Sequence, residues 1–282
     1  MIRLGQKHQC IQLFPDTAYE CFTVDDAAVG FGEAVSMDGD YAIIGAPSDD
    51  CAYIYFRSDG TWTEQARLTV TDGPDGFGAS VAISGDMAAV GSVGWAADGD
   101  TGSIWVFRHR SSGWKLDEVY CNRYLSANPR GPWMEFPLSG EEFGDSLAMD
   151  GETVVVGAPA ADDSTGKVHV FPPRQEQVGP FWWTTYDVLV ASDGAPGDRF
   201  GESVWVKGDT IIVGAPGHSS NGPGSGAVYV FRRADDGSWQ EDQTLVGEPN
   251  SAFGSSVCTT GVTLAVGAPE KEPAGQVCVY RV

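Results

Sequence analysis

Basic side chains are scarce in this chain: 17 Lys and Arg stand against 39 Asp and Glu, for a formal charge of −22. Nucleic-acid backbones and anionic membrane surfaces both require a local cation at each contact, so neither is expected as a partner. No apolar run approaches the ~18 residues that a membrane-spanning helix needs, and no transmembrane segment is expected. The opening stretch, Met1 to Pro15, carries Arg3 but no continuous apolar core, and it reads as lacking a signal peptide. Histidine is limited to His8, His109, His169 and His218, in unrelated contexts. The Gly-x-Ser-x-Gly elbow, His-Glu-x-x-His and Cys-x-x-Cys are all missing. These absences argue against an enzyme. With no Asn-x-Ser/Thr sequon, the sequence offers no N-glycosylation site as a guide to location.

What the chain has is enough apolar material for a core. Of its 282 residues 42% are apolar and 11% aromatic, which excludes intrinsic disorder. Its 37 Gly and 16 Pro stay below the level of low-complexity sequence.

Those glycines are periodic. Phe-Gly recurs at Phe31-Gly32, Phe77-Gly78, Phe143-Gly144, Phe200-Gly201 and Phe253-Gly254, each opening a 17-residue block such as FGEAVSMDGDYAIIGAP or FGESVWVKGDTIIVGAP. Within a block, Val81 and Ile83 alternate with Ala82 and Ser84, the period of a strand with one buried face. A Gly-centred reversal follows, then an apolar run such as Ile211-Ile212-Val213 that suits a strand covered on both sides. Pro47, Pro159, Pro216 and Pro269 end these runs because proline has no N–H for a ladder. A third strand comes next, AYIYF (52–56), SIWVF, KVHVF, AVYVF or QVCVY, with His169 aligned to Ile54, Trp105, Tyr229 and Cys278 as a packing position. A fourth opens at Trp62, Trp114 and Trp239, and at Trp182 or Trp183 in the third repeat.

Four antiparallel strands repeated five times predict an all-β fold, a five-bladed β-propeller occupying 1–282 as a single domain. A solenoid would need capping repeats, and none are present. Residues Phe22 to Gly30 match Leu68 to Gly76 without a gap, so the N-terminal segment reads as the fourth strand of the last blade. That pairing would close the ring and remove open edges.

The Phe-Gly and Gly-Ala-Pro elements together resemble the FG-GAP repeat family, known from integrin α-subunit propellers, in its short-hairpin bacterial form. The resemblance implies an extracellular or lumenal, cell-surface propeller that binds protein in adhesion or as an accessory scaffold of a larger assembly. Related propellers hold sugars between blades, so a lectin is the alternative, and a hydrolase on the same scaffold is third. Integrin propellers have seven blades and calcium loops of Asp-x-Asp-x-Asp-Gly-x-x-Asp form. Here the corresponding hairpins are cut to turns such as Asp38-Gly39-Asp40 and Asp150-Gly151-Glu152, too few oxygens for that site.

Strand order gathers the loops before each Phe-Gly and after each Gly-Ala-Pro on one face, where the resemblance places the ligand. That face is acidic: Asp25, Asp26, Asp72, Asp75, Asp193 and Asp198 from one loop set, Asp49, Asp50, Asp98, Asp100, Asp162 and Asp163 from the other. It is either a solvated surface that aids solubility or a site for a cationic partner. Asp98, Asp100, Asp162 and Asp163 are the candidate metal ligands, for a divalent cation such as Ca²⁺, and no other cofactor is implied. The insertion 122–142 brings Arg123, Tyr124, Arg130, Trp133, Met134 and Phe136, residue types enriched at interface cores. It either caps the central channel or forms the contact segment. Of six cysteines, Cys278 pairs on paper with Cys21, or Cys10 with Cys21, while Cys51, Cys121 and Cys258 have no assigned partner, and free thiols are the other option.

Overall fold

The computed structural model describes residues 30–70, 75–92, 102–121, 141–173 and 186–281. The fold is all-β, a five-bladed β-propeller. Blade 1 comprises β1 (Val35–Asp38), β2 (Tyr41–Ala46), β3 (Cys51–Ser58) and β4 (Thr61–Leu68). Blade 2 comprises β5 (Ser80–Ser84), β6 (Met87–Ser92), β7 (Ser103–Arg110) and β8 (Gly113–Cys121). Blade 3 follows with β9 (Leu147–Asp150), β10 (Thr153–Ala158), β11 (Lys167–Phe171) and β12 (Asp187–Leu189). Blade 4 holds β13 (Ser203–Lys207), β14 (Thr210–Ala215), β15 (Ala227–Arg233) and β16 (Trp239–Val246). Blade 5 holds β17 (Ser256–Thr259), β18 (Thr263–Ala268) and β19 (Gln276–Arg281). Strands pair antiparallel in chain order in every sheet, and the innermost strands β1, β5, β9, β13 and β17 touch in succession. Blade 5 has three strands among the described residues. The fourth expected for it, from the N-terminal segment, lies outside them, as do Trp182 and Trp183.

The two recurring motifs bond to each other. Each Phe-Gly sits in the centre of a four-residue turn, closed in blade 3 by Asp145 N–H donating to the Glu142 carbonyl at 3.1 Å. The Gly takes φ of 90 to 107°, the left-handed value that the third position of a type II turn demands. Its N–H then donates to the carbonyl of the Gly that opens Gly-Ala-Pro, or Gly-Ser-Val in the second repeat: Gly78 to Gly91 at 2.9 Å, Gly144 to Gly157 and Gly201 to Gly214 at 3.0 Å. The motifs recur together because they form one hydrogen-bonded unit.

Blades pack through a repeated seam. The trailing face of one sheet meets the leading face of the next, so that Val168 and Val170 share a core with Val204 and Val206, and Ala52 and Ile54 with Val81 and Ile83. The Phe of each turn is fully buried there from Phe77 to Phe253. Three seams carry a polar latch: Ser80, Ser146 and Ser203 Oγ donate to the carbonyls of Gly144, Gly201 and Gly254 at 2.6, 2.6 and 2.7 Å. Gly91, Gly157 and Gly214 let those carbonyls approach, since a Cβ on any of them would overlap the incoming oxygen. Blade 1 has Ala34 where the serine would be, and Gly45 alone makes the room.

The register corrects one alignment. Ile43 faces Ile54 as Ala89 faces Val106, so the residue equivalent to His169 in the first repeat is Tyr53, not Ile54. Cys51 is buried, and Cys51, Cys258 and Cys278 are free thiols. Cys10 and Cys21 lie outside the described residues, and so does the side chain of Cys121. No helix among the described residues is long and apolar enough to cross a membrane.

Candidate functional site

The two loop sets assigned to one face are knitted together there. Gly76 N–H donates to Asp50 Oδ1 at 2.7 Å, Arg199 N–H to the Ser164 carbonyl at 2.8 Å, and Asn250 N–H to the Pro223 carbonyl at 2.8 Å. In each pair one partner precedes a Phe-Gly and the other follows a Gly-Ala-Pro or its equivalent.

The best-developed part of this face lies where blades 3 and 4 meet. The residue before each Phe-Gly has a left-handed backbone: Gly30 and Gly76 in the first two repeats, then Glu142 at φ 53°, Arg199 at 56° and Ala252 at 49°. Non-glycine residues in that region are strained by about 1 kcal/mol or more and concentrate where surroundings hold them. Here the side chains of two of them meet: Arg199 Nη2 donates to Glu142 Oε2 at 2.9 Å and its Nε to Glu202 Oε2 at 2.6 Å. Asp145 lies beside this trio. Burial, and then the negative charges of Glu202 and Glu142, push its carboxyl up to about 6, against the opposing pull of Arg199. Two carboxylates bond one guanidinium, and a third lies within its field.

A second cluster adjoins it. Asp198 is buried, accepts from Ala195 N–H at 3.0 Å, and lies 2.9 Å from His218 Nδ1. His218 is itself buried, and its Nε2 is 3.7 Å from Asp193 Oδ2. Tyr229 Oη donates to Asp193 Oδ1 at 2.7 Å. Burial, and next that bond to a carboxylate, hold the Tyr229 phenol above its ordinary range. This cluster clamps the loop before Phe200 to the loop after β14.

The acidic residues expected on this face thus divide. Asp193, Asp162, Asp163, Asp50 and Asp75 are exposed, whereas Asp198 is an internal tie and not part of a solvated surface. Asp162 is 3.0 Å from Lys167 Nζ, and Asp162 and Asp163 both have left-handed backbones, with φ of 50° and 59°. Among the described residues, no three His, Cys, Asp or Glu side chains are arranged to hold a metal ion. Asp25, Asp26, Asp72, Asp98 and Asp100 lie outside the described residues, as do Arg123, Tyr124, Arg130, Trp133, Met134 and Phe136. Glu142, Arg199, Glu202 and Asp145 escaped the sequence reading. The signal for Glu142 and Arg199 was the position before Phe-Gly, where two repeats use Gly and two use a charged residue; Asp145 and Glu202 directly follow the same dipeptide.

His169 belongs to the packing and not to this face. Its ring lies edge-on to Phe143 and beside Tyr186, neither nitrogen has a hydrogen-bond partner, and burial holds its pKa down at about 4.

Radial blades with their loops gathered on one rim define the class of a β-propeller. The chain belongs to the FG-GAP repeat family: the model of that repeat matches residues 23–55, 62–107, 137–171 and 183–231, more than half of the chain. Human integrin alpha-D is 36% identical over 114 residues, covering 34% of this chain and 9% of that protein. Human integrin alpha-X is 38% identical over 109 residues, covering 33% and 9%. The match therefore spans 9% of the length of these curated relatives. Among solved structures, hydrazine synthase of Kuenenia stuttgartiensis superposes with a TM-score of 0.55 at 14% identity, covering 93% of this chain and 65% of that one. A candidate 6-phosphogluconolactonase from Bacteroides uniformis gives 0.58 at 13% identity, covering 89% and 67%. Both likenesses concern the fold alone.

Proposed function

We propose that this propeller is a non-catalytic protein-binding module that engages its partner through the face where the two loop sets meet, in adhesion or as an accessory scaffold of a larger assembly at a cell surface. The observation that supports this most is the junction of blades 3 and 4. There Arg199 is already engaged by Glu142 and Glu202, His218 by Asp198 and Asp193, and Lys167 by Asp162, which leaves exposed carboxylates such as Asp163 as surplus negative charge among the described residues. A rigid rim with surplus negative charge suits a partner with a basic, hydrogen-bonding surface, whose approach it also steers. Catalysis would need a nucleophile or base aimed at an open position, and the buried His169 and His218 are spent on packing and clamping. A lectin reading gains no support from the seams between blades 1 to 5, because apolar side chains fill them.

The test is crosslinking of the full chain in native extract, with the crosslinked positions read by mass spectrometry. Partner crosslinks should fall on the loops before Phe-Gly and after Gly-Ala-Pro, including the 122–142 insertion. Replacing 123–136 by a Gly-Ser linker should reduce capture of that partner. Crosslinks confined to the opposite rim, at the Asp38-Gly39-Asp40 and equivalent turns, would overturn the proposal.

A further inference from the structure

One nitrogen of His218 has no use for a neutral ring. Nδ1 lies 2.9 Å from Asp198 Oδ2, which also accepts from Ala195 N–H at 3.0 Å. A carboxylate offers acceptors alone, so Nδ1 carries the ring proton, and Nε2 of the neutral imidazole is a bare lone pair. That nitrogen is sealed from solvent and has no hydrogen-bond partner among the described residues. A second acceptor, Asp193 Oδ2, lies 3.7 Å from it. Two acceptors stand side by side with no proton between them, and an unpaired buried nitrogen is costly.

The groups around the ring suit a positive charge there. From the loop before Phe200 come Asp193 and Asp198, and Arg199, next in sequence, is turned away to Glu142 and Glu202. From β15 comes Tyr229, whose Oη donates to Asp193 Oδ1 at 2.7 Å and lies 3.4 Å from His218 Nδ1. Burial, and then the bond to Asp193, hold that phenol above its ordinary range, so it stays a donor. Glu241 on β16 lies beyond, accepting from Ser192 N–H and Oγ at 2.9 Å each. The loop that carries His218, residues 216–226, has no other ionisable side chain. The two loops already touch through Gly217 N–H, which donates to the Asp198 carbonyl at 3.1 Å.

We infer that His218 is a pH-operated clasp between the loop before Phe200 and the loop after β14. Protonation places an N–H on Nε2, which closes onto Asp193 Oδ2 while Nδ1–H stays on Asp198. One imidazolium then bridges two carboxylates of the same loop, and such charge-assisted bonds are about twice as strong as neutral ones. Loss of the proton returns Nε2 to a lone pair and releases Asp193, whose side chain is half exposed. Histidine is the side chain that ordinarily changes charge between about pH 5 and 8. The loop at the junction of blades 3 and 4 is therefore tighter in mild acid than in mild alkali. This is a property of the chain alone and holds whether or not the acidic face receives a partner.

Amide hydrogen exchange of the full chain tests it, expressed as protection factors along a pH series, with the His218 ring followed by NMR. Protection at Gly197 and Gly217, whose N–H groups tie the loops down, should rise roughly tenfold or more as the ring takes up its proton. Gly78, in the seam of blades 1 and 2, should show no such step. Asp145 in the neighbouring trio titrates at about 6, so the series is repeated with Asp145→Asn to remove it. In that background Asp193→Asn keeps an acceptor for Tyr229 and offers an N–H to the neutral Nε2, so the loop should be tight at every pH. Asp193 is half exposed, and this variant should keep the wild-type circular dichroism. His218→Asn removes the titrating ring and should abolish the step. A wild-type profile without the step overturns the inference, as does a step that persists in Asp193→Asn or His218→Asn. A neutral ring with its proton on Nε2 also overturns it. So does protection at neutral pH that EDTA removes, since a metal ion and not a proton would then fill the gap.

Discussion

His169 meets Phe143 edge to face, with ring centroids 5.3 Å apart and planes at 79°. Trp105 and Tyr229 make the same kind of contact with Phe77 and Phe200. An imidazole thus fills an aromatic site and brings two unpaired nitrogens into it. Since its folded pKa is near 4 and the ordinary value is 6.5, the unfolded chain binds this proton more readily. Stability should therefore fall as pH drops from 6.5 to 4, by up to about 3 kcal/mol from this group. His169→Phe should remove that slope and be at least as stable at neutral pH, as read from urea midpoints along a pH series.

Asp145 works in the opposite sense. Its folded pKa, about 6, lies above the ordinary 3.8, so the folded chain holds the proton more tightly. Its contribution to stability is fully present below 3.8 and is lost as pH rises through 6. Asp145→Asn should match the wild type near pH 4 and exceed it above pH 6. Between 4 and 6 the two groups oppose each other, so the two variants should shift the slope of the wild-type profile in opposite directions.

Equivalent glycines should differ sharply by blade. Gly157→Ala places a methyl against the Gly201 carbonyl and should cost about 3 kcal/mol or more. Gly267→Ala meets only the Ser256 side chain, which can turn away, and should be nearly neutral. Thermal unfolding of both variants checks the contrast.

The latches should act independently. Ser146→Ala and Ser203→Ala each leave a glycine carbonyl without its side-chain donor, at a cost of about 1 kcal/mol apiece. They serve different seams, so the double variant should show close to the sum.

Much of this fold was legible because the repeats announce it. Phe-Gly and Gly-Ala-Pro recur together, and the Gly144 to Gly157 hydrogen bond is the reason. The third strand of blade 1 was aligned one residue out, because Tyr53 and Ile54 are both apolar and both buried. In a strand covered on two sides, period-two alternation is lost, and register must come from its neighbours. The acidic face was legible as a place but not in its chemistry. Nothing local distinguishes the buried Asp198 from the exposed Asp193; the difference lies in His218, twenty residues further along. The meeting of Glu142 with Arg199, far apart in sequence, depends on blade packing and has no local trace.

The acceptor of every serine latch is a main-chain oxygen on a glycine that all five repeats possess. Recognition across that bond is therefore blind to the identity of the receiving sheet. Gene duplication can insert a new module, or recombination exchange one, without any compensating substitution in that contact. Such tolerance would let the number of sectors change while the joinery stays the same.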